Sequence, residues 1–149
     1  MIYEYRGIDG NKRVNGRKRQ LLTDTLGRIW KAVVHPANQH DSRGGIPLLE
    51  LEDDLIEALE KIIGDKAYRG SFAEACANKS IEFEVPHRPE GTKGFVVEAK
   101  RWVVERTIAW FNYFRRIQID YEHTVESSVA FIYLANSTMI LAKFGQFAE

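Results

Sequence analysis

The spacing of apolar and polar residues changes several times along this chain, and each change marks a predicted element. In "RKRQLLTDTLGRIWKAVVHP" two β-prone runs, roughly 17–23 and 28–35, flank the turn formers Asp24, Thr25 and Gly27. That pattern predicts a β-hairpin, with Pro36 closing its second strand. Leu48, Leu49, Leu51, Leu55, Ile56 and Leu59 keep helical spacing, while Glu50, Asp53, Asp54, Glu57 and Glu60 take the wet side, so residues 46–61 read as a helix. The short run Ile62-Ile63 reads as a strand leading into Asp65. A helix near 71–79 with Ser71 as N-cap follows, then a strand over 81–85 and the loop "PHRPEGTKG". Two long helices, roughly 95–115 and 124–144, complete the order. The last is apolar nearly all round, which predicts burial or packing on a partner.

Composition narrows the class. The 149 residues, 44% of them hydrophobic, suit one compact domain spanning 1–149. Formal net charge is zero, yet residues 1–43 hold nine Lys/Arg against four acids, and residues 44–60 hold six acids and no base. A neutral total with this polarity leaves a nucleic-acid partner open, because the local field steers encounter. The single Cys76 excludes an internal disulfide and fits a reducing cytoplasm. No N-terminal signal pattern is present, and no apolar run reads as long enough to cross a membrane.

Two acids carry the candidate chemistry. Asp65 leaves the end of a short apolar strand in "KIIGDKAYRG", and Glu105 lies on the helix of "KRWVVERTIAWF", four residues after Arg101. Carboxylates on separate elements can converge on Mg²⁺, which takes one or two protein carboxylates and keeps several waters. The plainer reading makes Asp65 a turn residue and gives Glu105 a solvated pair with Arg101, worth about 0.3–0.5 kcal/mol. Lys12, Arg13, Arg17, Lys18 and Arg19 form a glycine-flanked basic segment suited to a DNA backbone, or simply a charged edge that deters aggregation. His35, His40 and Asp41 lack the partners expected of a metal site, and Cys76 reads as a packing residue.

The stretches "GNKRVNGRKRQLLTDTLG", "VVHPANQHDSRGG", "IIGDKAYRG", "RWVVERTIAWFNYFRR" and "DYEHTVESSVAFIYLANSTMIL" resemble the catalytic domain of bacterial insertion-sequence transposases of the DDE class. They cover nearly all of residues 5–144. The specific signature is D-x-x-Y, followed some forty residues later by R-x-x-x-E on an aromatic-rich helix.

That resemblance implies a ribonuclease-H-like α/β fold, a mixed sheet flanked by helices, with its first strand and first aspartate missing ahead of the basic segment. Asp65 and Glu105 become the second and third acids, holding Mg²⁺ or Mn²⁺, and Tyr68 and Arg101 match accessory positions. Arg101, Arg106 and Arg116 join the basic segment as expected DNA contacts. Asn112 departs from the family, which has a basic residue there. The implied function is metal-dependent DNA strand cleavage and transfer by a truncated or split transposase domain, inactive alone. Its implied partners are transposon-end and target DNA and a second copy or a full-length transposase, without a membrane. The alternative is a non-catalytic DNA-binding or transposase-pairing regulator.

Overall fold

The computed structural model describes residues 5–86 and 102–145. It is a mixed α/β structure in which a long hairpin separates two apolar clusters. Strands β1 (Gly7–Ile8), β2 (Asn15–Thr23) and β3 (Ile29–Pro36) form an antiparallel sheet in that order. Asp24 makes the tight turn. Its carboxylate accepts the backbone N–H groups of Leu26 and Arg28 at 2.9 Å each, and Gly27 supplies φ +85°.

Because strand side chains alternate, the two faces of the hairpin meet different partners. Gln20 and Leu22 face a cluster built from Leu48, Leu49, Ile62, Phe72, Cys76 and Ile81. Leu21, Ala32 and Val34 face a second cluster completed by Phe111, Ile117, Ile132 and Ala135. Full burial of a Leu, Ile or Phe side chain is worth about 1.5–3 kcal/mol, so these clusters fix both elements to the hairpin.

Helix α1 (Asp41–Gly44) follows the sheet. The expected helix over 46–61 is interrupted. Residues Ile46–Leu49 form a 3₁₀ turn with Pro47 near its start, Glu50 leaves helical geometry at φ −84°, ψ 73°, and only α2 (Asp53–Glu57) is α-helical. The turn buries the adjacent pair Leu48 and Leu49 together against Ile62 and Phe72. Strand β4 (Lys61–Ile63) pairs in parallel with β5 (Glu82–Glu84), and α3 (Ser71–Asn78) makes the crossover. Ser71 is the first helical residue, not the cap. Gly70, at φ +82°, holds the N-cap position without a side-chain bond.

The helix expected to run to 115 ends at Trp110, and its residues 95–101 lie outside the described residues, as does most of the 86–94 loop. Helix α4 (Trp102–Trp110) passes into the 3₁₀ turn Phe111–Tyr113, the extended Phe114, and α5 (Arg115–Gln118). The break turns Phe111 and Ile117 into the second cluster. Helix α6 (Val125–Gly145) is as long as expected. By length and composition it is apolar enough to cross a bilayer, which corrects the reading that no run was. One side of it, with Ile132, Ala135 and Asn136, is buried and packs on β3. Asn136 accepts the Ile29 amide at 3.2 Å, and the Tyr133 hydroxyl accepts that of Ala32 at 3.0 Å.

Candidate active site

Asp65 follows β4 at the N-cap of the 3₁₀ turn Lys66–Tyr68, with its side chain at the surface. Gly64 permits this exit, since a Cβ there would sit 2.8 Å from the Phe83 ring. The turn is pinned by Tyr68. Its ring packs edge-on against Phe72 at 5.3 Å, and its hydroxyl donates to the Gln20 side-chain carbonyl. The Gln20 amide nitrogen lies 2.9 Å from His35 Nε2 and 3.3 Å from the Asp41 carboxylate.

With Nδ1 of His35 2.9 Å from the Pro36 carbonyl, the ring donates there and accepts from Gln20. Gly44 closes over the ring, where a Cβ would meet Nε2 at 2.3 Å. Burial is the main cause of a lowered His35 pKa, and it also raises that of Tyr68, assisted by the charges of Asp41 and Asp65. The network holds the Asp65 turn to both hairpin strands.

Glu105 stands on the exposed side of α4, in its first turn. The opposite side buries Val103 and Thr107. The Thr107 hydroxyl donates to the Gly27 carbonyl at 3.0 Å and lies 3.1 Å from that of Val103. Arg106 donates to the Leu26 carbonyl at 3.0 Å and lies over the rings of Trp102 and Trp110 at 4.5 and 4.8 Å. One hairpin thus anchors both carboxylate-bearing elements, Asp65 through Gln20 and His35, Glu105 through Leu26 and Gly27. Among the described residues no group of three His, Cys, Asp or Glu side chains is placed to hold a metal ion.

The basic segment divides in two. Lys12 and Arg13 are exposed in the β1–β2 turn, which the Asp9 carboxylate caps by accepting the Asn11 and Lys12 amides. Arg17, Lys18 and Arg19 are engaged within the fold. The Arg17 side chain, 0% exposed, pairs with Asp120 at 2.7 Å and donates to the Glu122 carbonyl at 2.6 Å. Arg19 donates to the Ile117 carbonyl. Lys18 pairs with Asp41 at 3.0 Å. Arg116 pairs with Glu122 at 2.5 Å and lies over Phe131, while Arg101 is outside the described residues.

Sequence reading did not single out Gln20, Thr107, Asp120 or Glu122, and weighed His35 only as a metal ligand. Strand alternation was the available signal: Arg17 and Arg19 share one face of β2, and Lys18 and Gln20 share the other.

Two of these groups set an expected acid response. Burial alone would raise the Asp120 carboxyl, but the Arg17 bond and charge, the Glu122 amide and the Arg19 charge outweigh it and hold it below its ordinary range. The unfolded chain therefore takes up a proton on each group at a higher pH than the folded chain does. His35 contributes stability that is full above about pH 6.5 and declines below it. Asp120 adds a further loss once pH falls below about 4. The thermal midpoint should be level from about pH 7 to about pH 8 and fall in two stages on acidification. A midpoint unchanged from pH 7 to pH 4.5 would remove the His35 contribution.

A relative from Burkholderia cepacia, named "Putative transposase for insertion sequence element IS402", is 28% identical over 127 residues, covering 80% of this chain. The chain spans 60% of that relative's length. No solved structure matches. The family described as "Transposase DDE domain" matches residues 2–140, and the chain belongs to that family.

Proposed function

We propose that this chain is a ribonuclease-H-like catalytic domain of a DNA transposase, in which Asp65 and Glu105 are two of the acids that act on the phosphodiester. The observation that carries this reading is the anchoring of both carboxylate-bearing elements to one hairpin, with each acid at the surface. The antiparallel hairpin and the parallel β4–β5 pair are compatible with a mixed sheet that one further strand would complete.

The donor set fits a hard divalent cation such as Mg²⁺ or Mn²⁺, since both candidate ligands are carboxylate oxygens. Asp65 and Glu105 would hold the ion. When bound, it supplies Lewis acidity and an activated water or 3′ hydroxyl for in-line attack. The Tyr68–Gln20–His35 network keeps Asp65 in place, and the Thr107 clasp orients the face of α4 that carries Glu105. DNA is the substrate, the working compartment is the cytoplasm, and a third acid joins Asp65 and Glu105.

The test is supercoiled plasmid with Mg²⁺ or Mn²⁺. The 149-residue chain should leave it intact, and a chain extended upstream should nick it. Nicking by the short chain that survives loss of Asp65 and Glu105 would end the reading. The second reading is a non-catalytic DNA-binding or transposase-pairing regulator. In that case the extended chain binds DNA without cutting it.

DNA contact is assigned first to Lys12 and Arg13, exposed in the β1–β2 turn, and to Arg101, because Arg17, Lys18 and Arg19, like Arg106 and Arg116, already have partners in the fold. Binding should fall steeply with salt as condensed counterions are released. Replacing Lys12 and Arg13 by Ala should flatten the slope of log affinity against log salt by up to about two units, at roughly 0.9 per contact. An unchanged slope removes this turn from the DNA surface.

A further inference from the structure

Residues 127–142 of α6 carry no charged side chain, and Glu126 and Lys143 bracket them. One side of the helix buries Ser128, Ile132, Ala135 and Asn136. On the other side Ala130, Leu134, Ser137, Leu141 and Phe144 are all exposed, at steps of four, three, four and three residues. Leu134 is 61% exposed, and Leu141 and Phe144 are 68% exposed. An apolar stripe of period 3.5 is the seam that packs against another helix.

We propose that this seam pairs antiparallel with α6 of a second copy of the chain. Both size and charge select that partner and direction. Let Leu134 of one copy face Ser137 of the other; then Ala130 faces Leu141 and Ser127 faces Phe144. Every layer sets a large side chain against a small one, as close packing of a seam requires. The same register brings Glu126 of one helix within about two residues, or roughly 3 Å along the axis, of the other's Lys143. That ammonium lies over the Trp110 ring at 4.8 Å and only 3.5 Å from the Leu26 carbonyl, so it would turn from these contacts to pair across the seam. A parallel pair would instead align like charges at each end and stack Leu141 on Leu141 beside Ser137 on Ser137.

A seam of this length is small against the roughly 1,000 Å² that a specific interface needs. Beside it lies a cleft of about 280 Å³ lined by Trp110, Tyr113, Phe114 and Met139, with Tyr113 87% exposed, and this extends the apolar surface. The tip of α4 therefore joins the same interface.

The test uses the whole chain. Light scattering from about 1 to about 100 µM, a range spanning ordinary dimer affinities, should show a dimer that strengthens with concentration. Leu134→Glu with Leu141→Glu should weaken it at least 10-fold, with the circular dichroism spectrum and thermal midpoint unchanged. Registration is read with cysteines. Ala130 and Leu141 lie about 16 Å apart along one helix, too far for a disulfide within a chain. Ala130→Cys with Leu141→Cys should therefore give a doubly linked dimer on oxidation, and Ala130→Cys alone should give none.

Cys76 is buried and its thiol is pushed up to about 11, so it stays silent. If the glutamate variant misfolds, the cysteine pair still decides. A monomer at every concentration, a dimer indifferent to the glutamates, or linking by Ala130→Cys alone would overturn the proposal. So would glutamate-sensitive flotation of a monomer with phosphatidylethanolamine–phosphatidylglycerol vesicles, which would give the seam to lipid.

Discussion

Arg17→Ala should lower the stability of the chain by about 3 kcal/mol, the lower end of the cost of breaking a buried ion pair by removing one partner. The guanidinium is withdrawn from solvent and tied to the Asp120 carboxylate and the Glu122 carbonyl. Its loss leaves Asp120, itself only 17% exposed, without the cation that holds its charge in place. It also removes both ties of Arg17 to the segment before α6, leaving Arg19 on the Ile117 carbonyl as the link from β2. For a chain of this length the thermal midpoint should drop by about 10 °C. Arg17→Lys should recover part of the loss, because an ammonium can pair with Asp120 but cannot reproduce the fork that also reaches Glu122. A midpoint within 2 °C of the parent would show that the pair contributes nothing net. Salt is a second check, since a pair this sheltered should be screened far less than one at the surface.

Asp65→Asn and Glu105→Gln should each reduce strand cleavage by the upstream-extended protein about 10³-fold or more. Each exchange keeps the size of the side chain and removes its charge. Metal-assisted stabilisation of the transition state is worth several kcal/mol, and each 1.36 kcal/mol is tenfold in rate. Both side chains are exposed, so stability should change little. The two variants combined should lose hardly more than either alone, because residues that act as one unit are not additive. Full activity in Glu105→Gln would leave Glu105 as part of a solvated helix face. Loss of folding in Asp65→Asn would make Asp65 a structural cap, a result that the thermal midpoint separates from a catalytic one.

Local chemistry explains which elements were legible beforehand. The hairpin was readable because Asp24 and Gly27 act within five residues of chain: a carboxylate that caps its own turn and a glycine at positive φ. Asp65 at a strand end and Glu105 on a helix were readable for the same reason. The helix expected over 46–61 failed because apolar spacing outweighed Pro47 in the reading, whereas Pro47 starts a 3₁₀ turn and burial of Leu48 and Leu49 side by side ends it. The helix after Arg101 failed at Phe114, where packing of Phe111 and Ile117 into the second cluster requires a bend that propensity does not encode.

The largest difference was in the basic run. Three adjacent cations look like a nucleic-acid surface in one dimension. Their partners, Asp120, Ile117 and Asp41, are 103, 98 and 23 residues away, so only the folded chain shows what each cation is tied to. Arg101, singled out in the sequence, lies outside the described residues.

The clasp between Thr107 and Gly27 bears on how this protein can be handled. Tips of β-hairpins are ordinarily the first places chosen for an affinity tag, a fluorophore or an inserted domain, because exposed turns tolerate added chain. This tip is spoken for. A Cβ on Gly27 would come within 2.6 Å of the Thr107 hydroxyl, and the neighbouring Leu26 carbonyl receives both Arg106 and, at 3.5 Å, Lys143. Any label at 24–28 would prise α4 from the sheet and carry Glu105 with it. The turn at Asn11–Lys12, capped only by its own Asp9, is the better attachment point for work on folding, while studies of DNA binding need a site away from both turns.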